Sequence, residues 1–201
     1  MANTEKFEQI AKQYDQPDRI KIAEITVSEI KSILKDSKDK VLMDFGCGTG
    51  LIGLSLATEF KEVLLVDSSV NMIAVTSNKI KQLDITNAKV MNFDLEMNEV
   101  EPLKVDVIII SQVLLHIPNT QAILEKLSHF LNENGMLIII DFEENHLVNS
   151  PLVHRGFNKA NLEIQLLKNG YNSFNYKSFY SSDNLFMGQR ATLFLMSAIR
   201  P

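Results

Sequence analysis

From Lys40 onward, short apolar, β-branched runs at 41–45, 63–66, 88–91, 105–110 and 136–140 alternate with stretches in which apolar residues recur at helical spacing. Strands separated by helices cannot pair as hairpins, so the alternation calls for βαβ units and a parallel sheet. The runs at 107–110 and 136–140 are apolar at consecutive positions, the pattern of strands covered on both faces. Neither approaches the roughly 20 apolar residues that a bilayer span demands. Between the strands, one stripe of Val70, Ile73, Ala74 and Ser77 and another of Ile123, Leu124, Leu127, Phe130 and Leu131 would lay helices on the sheet.

The ends follow the same logic. Two leading helices are expected within 1–36, one on Phe7, Ile10, Ala11 and Tyr14 and one on Ile20, Ala23, Val27, Ile30 and Leu34. After the alternating region, Phe157, Ala160, Ile164 and Leu167 mark a further helix, closed by Asn169 and Gly170. An alternating strand at 171–180 and an apolar one at 191–199 would close the chain, with 180–189 as their hairpin loop and the last strand interior to the sheet. No repeat or linker interrupts the 201 residues, so a single domain is expected over 1–201, with 37–201 as its core.

Charge narrows the partners. Acidic residues exceed basic ones by 25 to 20, and no stretch concentrates Lys and Arg, which argues against a nucleic-acid or anionic-membrane partner. Residues 1–10 carry Glu5, Lys6 and Glu8 where a signal peptide needs an apolar core, so a cytoplasmic protein is expected, as a monomer or homodimer. Cys47 is the one cysteine, which rules out an intramolecular disulfide and a multi-cysteine zinc site.

The stretch Val41-Leu42-Met43-Asp44-Phe45-Gly46-Cys47-Gly48-Thr49-Gly50 is a buried strand ending in alternating glycines, ahead of a helix expected from Leu51. Glycines allow tight turning and close approach of a ligand to the backbone, and a helix N-terminus offers free N–H groups. A dinucleotide fingerprint would need a glycine where Leu51 stands, which speaks against a nicotinamide cofactor. An acid at the end of the second strand, Asp67, suits a two-pronged grip on ribose hydroxyls.

With these residues in register, the chain resembles the class I S-adenosylmethionine-dependent methyltransferases, in their small-molecule branch near the ubiquinone and menaquinone C-methyltransferases. The Asp44 to Gly50 turn is similar to the family's first motif, Val66-Asp67-Ser68-Ser69-Val70-Asn71-Met72 to its ribose-binding segment, and Asn92-Phe93-Asp94-Leu95 to its adenine-contacting turn. The fourth strand, through Ser111 to His116, and the segment His154-Arg155-Gly156-Phe157 fit the same pattern. The resemblance implies a Rossmann-like α/β fold: a seven-stranded mixed sheet of order 3-2-1-4-5-7-6, strand 7 antiparallel, with helices on both faces. It implies S-adenosylmethionine as cofactor, with Asp44, Gly46, Cys47, Gly48 and Gly50 around its methionine end and Asp67 and Ser68 at the ribose. Met72 and Leu95 would pack on the adenine, Asp94 would accept from its amine, and Ser111 would line the methionyl side. Met72 is equally readable as a core residue.

The acceptor would be a small molecule. No Asn/Asp-Pro-Pro-Tyr/Phe motif follows the fourth strand, which removes the amino-directed nucleic-acid and protein-glutamine branch. Asn132-Glu133-Asn134-Gly135 stands where the branch usually has Pro-Gly-Gly, an equivalent turn. His116, at the end of the fourth strand, is the candidate general base, because imidazole titrates near neutrality and ligands bind at that end of such sheets. Its alternative is packing of the loop before Pro118. Tyr14 and His154 are candidate acceptor-lining residues, with the leading helices as a lid or as plain packing. His146 and His154 near Asp141, Glu143 and Glu144 raise the question of a metal, but no i, i+4 histidine pair supports one, and the segment is read as a solvated acidic face. Two other functions remain open: a non-catalytic S-adenosylmethionine-binding protein, and an NAD(P)-dependent oxidoreductase.

Overall fold

A computed structural model describes residues 4–97, 101 and 103–201. Seven strands form one sheet: β1 (Val41–Phe45), β2 (Glu62–Asp67), β3 (Ala88–Asn92), β4 (Val105–Ser111), β5 (Leu131–Phe142), β6 (Asn172–Phe186) and β7 (Gln189–Ile199), in the order β3-β2-β1-β4-β5-β7-β6. β1 to β5 run parallel, and β7 is antiparallel to β5 and β6. The consecutive apolar residues of β1, β2, β4 and β7 are buried because helices and loops cover the sheet on both sides. This is the expected order and handedness of pairing. The strand order reverses between β1 and β4, and a crevice opens there beyond their C-terminal ends.

Around the sheet lie α1 (Thr4–Ile10), α2 (Pro17–Ile33), α3 (Val70–Gln82), α4 (Thr120–Ser128) and α5 (Lys159–Lys168). Each of the last three is started by a side-chain cap: Ser69 accepts from Met72 N, Asn119 from Ala122 N, and Asn158 from Ala160 N and Asn161 N. Pro17 opens α2, where its fixed φ suits the first turn. Among the described residues, no helix is long and apolar enough to cross a membrane.

Several local expectations are corrected. The segment after the glycine turn is no α-helix from Leu51 but a 3₁₀ stretch at Leu54–Glu59. Gly50 and Gly53 weaken helix formation, and β2 already begins at Glu62. On α3 the buried positions are Met72 and Thr76, while Val70 is 62% exposed. On α5 they are Leu162 and Leu166, leaving Ile164 and Leu167 more than half exposed. On α5 two apolar stripes compete and docking selects the other one; on α3 Ile73 of the expected stripe still packs against the core, and full burial falls one position away, on Met72 and Thr76. Leu131 belongs to β5 rather than to the preceding helix. The expected 180–189 loop is two strands joined at Met187-Gly188, both at positive φ, as the twist of a tight hairpin requires.

One buried carboxylate ties the sheet to the loop beyond β4. Asp141 Oδ2 accepts from Leu115 N (3.2 Å) and its Oδ1 from Phe142 N (2.8 Å). Burial raises its carboxyl to about 7, against the pull of those two N–H groups. An unfolded aspartate titrates near 3.9. The folded chain therefore keeps a proton that the unfolded chain loses, and the stability Asp141 contributes is full below about pH 4 and is lost as pH rises to about 7. Asparagine at this position does not titrate. The stability of the native chain relative to Asp141→Asn, measured by urea unfolding, should fall by on the order of a few kcal/mol between pH 4 and pH 8; a constant difference across that range would refute it.

Candidate functional site

The glycine turn is fixed from below and from one side. Gly46 N and Cys47 N both donate to Val66 O at the end of β2 (2.8 and 2.9 Å). Thr76 Oγ1 and Lys79 Nζ of α3 donate to Gly48 O and Thr49 O (both 2.8 Å). Gly46 and Gly48 adopt φ of +74° and +55°. At Gly46 a Cβ would lie 2.3 Å from Val113 Cγ2, whereas at Gly48 it would meet only Tyr14, 3.9 Å away, so Gly48 faces open space.

That space is a cavity in two limbs that share Tyr14, Gly46, Gly48, Ser111 and Gln112. The first limb is an apolar slot with Met72, Phe93, Leu95 and Ile123 in its walls and Asp67, Ser68 and Asp94 at its polar edge. Met72 is thus both core and cavity wall. The second limb runs under α2 and is lined by Asp44, Cys47, Thr49 and Arg19. Gly50 does not line either limb; it shapes the turn, with a Cβ at that position meeting Leu54 Cδ1 at 2.9 Å.

Asp67 sits at the junction of turn and slot. Its Oδ2 accepts from Gly48 N and its Oδ1 from Ser69 N (both 2.8 Å), leaving each oxygen a further acceptor site. Burial raises its pKa, the two backbone donors oppose this, and the Glu8 carboxylate adds to it. A reading of Asp67 as purely a ligand residue is therefore incomplete, since it also pins the turn. Asp44 is wholly buried, accepts from Gly53 N (2.9 Å), and is raised to about 7 by its burial. Cys47 is buried, and that burial together with Asp44 and Asp67 pushes its thiol well up, so it stays protonated and unreactive. Asp94 Oδ1 accepts from Glu96 N (2.8 Å). Ser111 Oγ, on the wall common to both limbs, is buried and finds no hydrogen-bond partner among the described residues. An orphaned hydroxyl there fits a polar ligand group that completes its bonding.

The leading segment closes the front. Phe7 packs edge-on against both Tyr14 and His116, with ring centroids at 6.3 and 5.1 Å. Glu8 accepts from Val70 N (2.6 Å) and Asn71 N (3.2 Å) at the start of α3. Asp15 bridges Thr49 Oγ1 (2.5 Å) and Lys79 Nζ (2.6 Å). Burial pushes the Tyr14 phenol upward against the pull of Arg19, whose guanidinium stacks 4.1 Å from its ring.

His116 lines the first limb, but burial, with Lys6 nearby, lowers its pKa to about 4, so it does not titrate near neutrality as expected from sequence. The expectation for His154 is corrected: it is not among the residues lining these cavities. Its Nε2 lies 2.8 Å from Ile117 O, and its N–H donates to Leu115 O (2.8 Å), so it braces the His116 loop. The nearby acids are engaged elsewhere, Glu143 with Tyr176 (3.1 Å) and Glu144 with Arg155 (3.0 Å).

Sequence reasoning passed over Arg19, Gln112 and Gly53. Nothing local marks Arg19, which α2 carries to the second limb. Gln112 adopts φ of +54°, a strained position beside the strand end that only the coordinates expose. Gly53 could have been noticed as a fourth glycine. Its Cβ would lie 2.5 Å from Leu65 Cδ2 and 2.7 Å from Asp44 Oδ2. Gly53→Ala should therefore destabilise the chain by about 1–3 kcal/mol in denaturant unfolding; a variant as stable as the native chain would show that this contact relaxes freely.

A family model described as a methyltransferase domain matches residues 36–182. The chain is 30% identical over 135 residues to an uncharacterised methyltransferase of Schizosaccharomyces pombe, covering 64% of this chain and 47% of that protein. It is 31% identical over 124 residues to (S)-coclaurine N-methyltransferase of Papaver somniferum, covering 61% and 34%. The chain thus spans less than half the length of these curated relatives. Among solved structures, a SAM-dependent methyltransferase from Aquifex aeolicus superposes with a TM-score of 0.76 at 16% identity, covering 96% of this chain and 98% of that one. The match to the family model spans well over half of the chain, and the chain belongs to the methyltransferase-domain family.

Proposed function

We propose that the chain binds S-adenosylmethionine in the two-limbed cavity and transfers its methyl group to a small molecule. The observation that carries this reading is Asp67, held by Gly48 N and Ser69 N at the mouth of an apolar slot, with spare acceptor positions on both oxygens. Met72, Phe93 and Leu95 would sandwich the adenine, and Asp67 would hold the ribose hydroxyls. Arg19, Ser111 and the turn would receive the amino-acid end. The bound cofactor supplies an activated methyl group on sulfonium, so the chain's task is alignment, exclusion of water and, where the acceptor carries a proton, its removal. The Phe7–Tyr14–His116 cluster would exclude water from the reacting side. His116 would act as the base where the acceptor carries a proton; it is neutral imidazole throughout the physiological range, and a conjugate acid with a pKa of about 4 makes it a weaker base than an ordinary imidazole, suited to an acceptor whose proton is already acidic.

Calorimetry should show micromolar binding of S-adenosylhomocysteine and none of NADH. Absence of heat with the sulfur ligand at millimolar concentration would sink the proposal, and binding without turnover on any acceptor would favour a non-catalytic binding protein. Asp67→Asn should weaken S-adenosylhomocysteine by roughly 10- to 100-fold, the loss of about 1.5–3 kcal/mol for bonds to a charged acceptor. Both variants should lower the melting temperature, Asp67→Ala more than Asp67→Asn, because alanine leaves Gly48 N and Ser69 N both without an acceptor whereas the asparagine carbonyl keeps one of them.

His116→Gln should leave cofactor affinity unchanged and lower turnover roughly 10²- to 10⁴-fold with a hydroxyl acceptor. Because the folded pKa is about 4, the wild-type rate should rise with pH through about 4 and be flat with respect to His116 from pH 5 to 8. A rate limb at pH 6–7 that His116→Gln abolishes would show instead an imidazole titrating normally.

A further inference from the structure

Beside the cofactor limbs lies a separate cavity of about 180 Å³, between the segment that follows β5 and the tip of the β6–β7 hairpin. It meets the first limb at Tyr14, Gln112 and His116, which line both. Leu115, Phe142, Val153 and Phe186 give it an apolar side, with Phe142 and Phe186 stacked at 4.3 Å and 7°, while Ser150 adds a neutral hydroxyl to the polar groups of the partition. Its rim is apolar and wet, Leu152 and Met187 being 61% and 56% exposed. Among the described lining residues there is no carboxylate, and the only permanently charged side chain is Lys6.

Size and charge together define an occupant. A dry apolar cavity of about 150 Å³ takes benzene, so this one has room for a single six-membered ring with small substituents. An ammonium group entering it would be desolvated without a carboxylate partner and with Lys6 repelling it, whereas a carboxylate or phenolate would gain Lys6 and a hydroxyl would lose little. We propose that this cavity is the acceptor site and that it selects single-ring apolar acceptors that are neutral or anionic, discriminating against cationic amines. The identification as an acceptor site rests on the methyltransferase reading; the selection of ring and charge does not. The ring enters between Leu152 and Met187, and its reactive substituent points to the Tyr14–Gln112–His116 partition. Lys6 sets the charge preference from α1, so the leading segment takes part in specificity as well as closure.

The test is ligand-observed NMR with three probes of one ring size, benzoate, benzyl alcohol and benzylamine, with and without S-adenosylhomocysteine. Benzyl alcohol and benzoate should bind in mutual competition, and benzylamine should be at least tenfold weaker. Lys6→Glu should reverse the order of benzoate and benzylamine. Leu152→Glu, at an exposed rim position, should weaken benzyl alcohol at least tenfold, with S-adenosylhomocysteine binding showing both variants to be folded. Equal binding of all three probes, or a preference that Lys6→Glu leaves unchanged, overturns the charge selection. No binding of any probe at millimolar concentration to protein that does bind S-adenosylhomocysteine overturns the cavity as a ring site. Probe binding by a protein that ignores S-adenosylhomocysteine leaves the ring site standing and removes the methyltransferase reading.

Discussion

Everything about the site depends on how the 46–50 turn is held. Two of its N–H groups share Val66 O, a third reaches Asp67, and two of its carbonyls are taken by Thr76 and Lys79 of α3. Backbone groups in a turn at positive φ have no ladder to satisfy them, so these bonds from β2 and α3 replace what regular structure would provide. The consequence is a rigid corner whose open side, at Gly48, is the floor of the cavity. Because Asp67 belongs to that bonding set, the carboxylate that fixes the corner also lines the cavity.

The second constraint is burial of charge. Asp44 and Asp141 lie at the C-terminal ends of β1 and β5 with only backbone N–H groups as partners, and both are raised to about 7. Each trades stability for placement: Asp44 locates Gly53 and the 3₁₀ segment, and Asp141 locates Leu115 and with it the His116 loop. His154 reinforces that loop from the other side through Ile117 O. The histidine next to the cavity is thus positioned by an acid and a second histidine that touch neither cofactor limb.

The leading segment joins these parts. Glu8 bonds the start of α3, Asp15 bonds Thr49 and Lys79, and Phe7 and Tyr14 stand over His116. Its contacts with the turn are polar and partly exposed, the type that breaks at low cost, whereas the sheet below is held by continuous apolar packing.

By itself the sequence marked the strands and the glycine corner, and its resemblance to a known family supplied the strand order. The consecutive apolar residues at 107–110 mark a strand covered on both faces, and glycines at 46 and 48 mark a turn by backbone chemistry alone, whereas the bond by which Asp67 pins that turn belongs to the assembled structure. Only the tertiary structure decided which stripe faces inward on α5, since Ile164 is as apolar as Leu162 and Leu166, and that the polar Thr76 rather than Val70 is buried on α3. It also decided the state of His116, the bracing role of His154 and the reach of Arg19. Those depend on which groups from distant segments exclude water around a side chain, and desolvation is a property of the assembled environment, with no trace in local spacing.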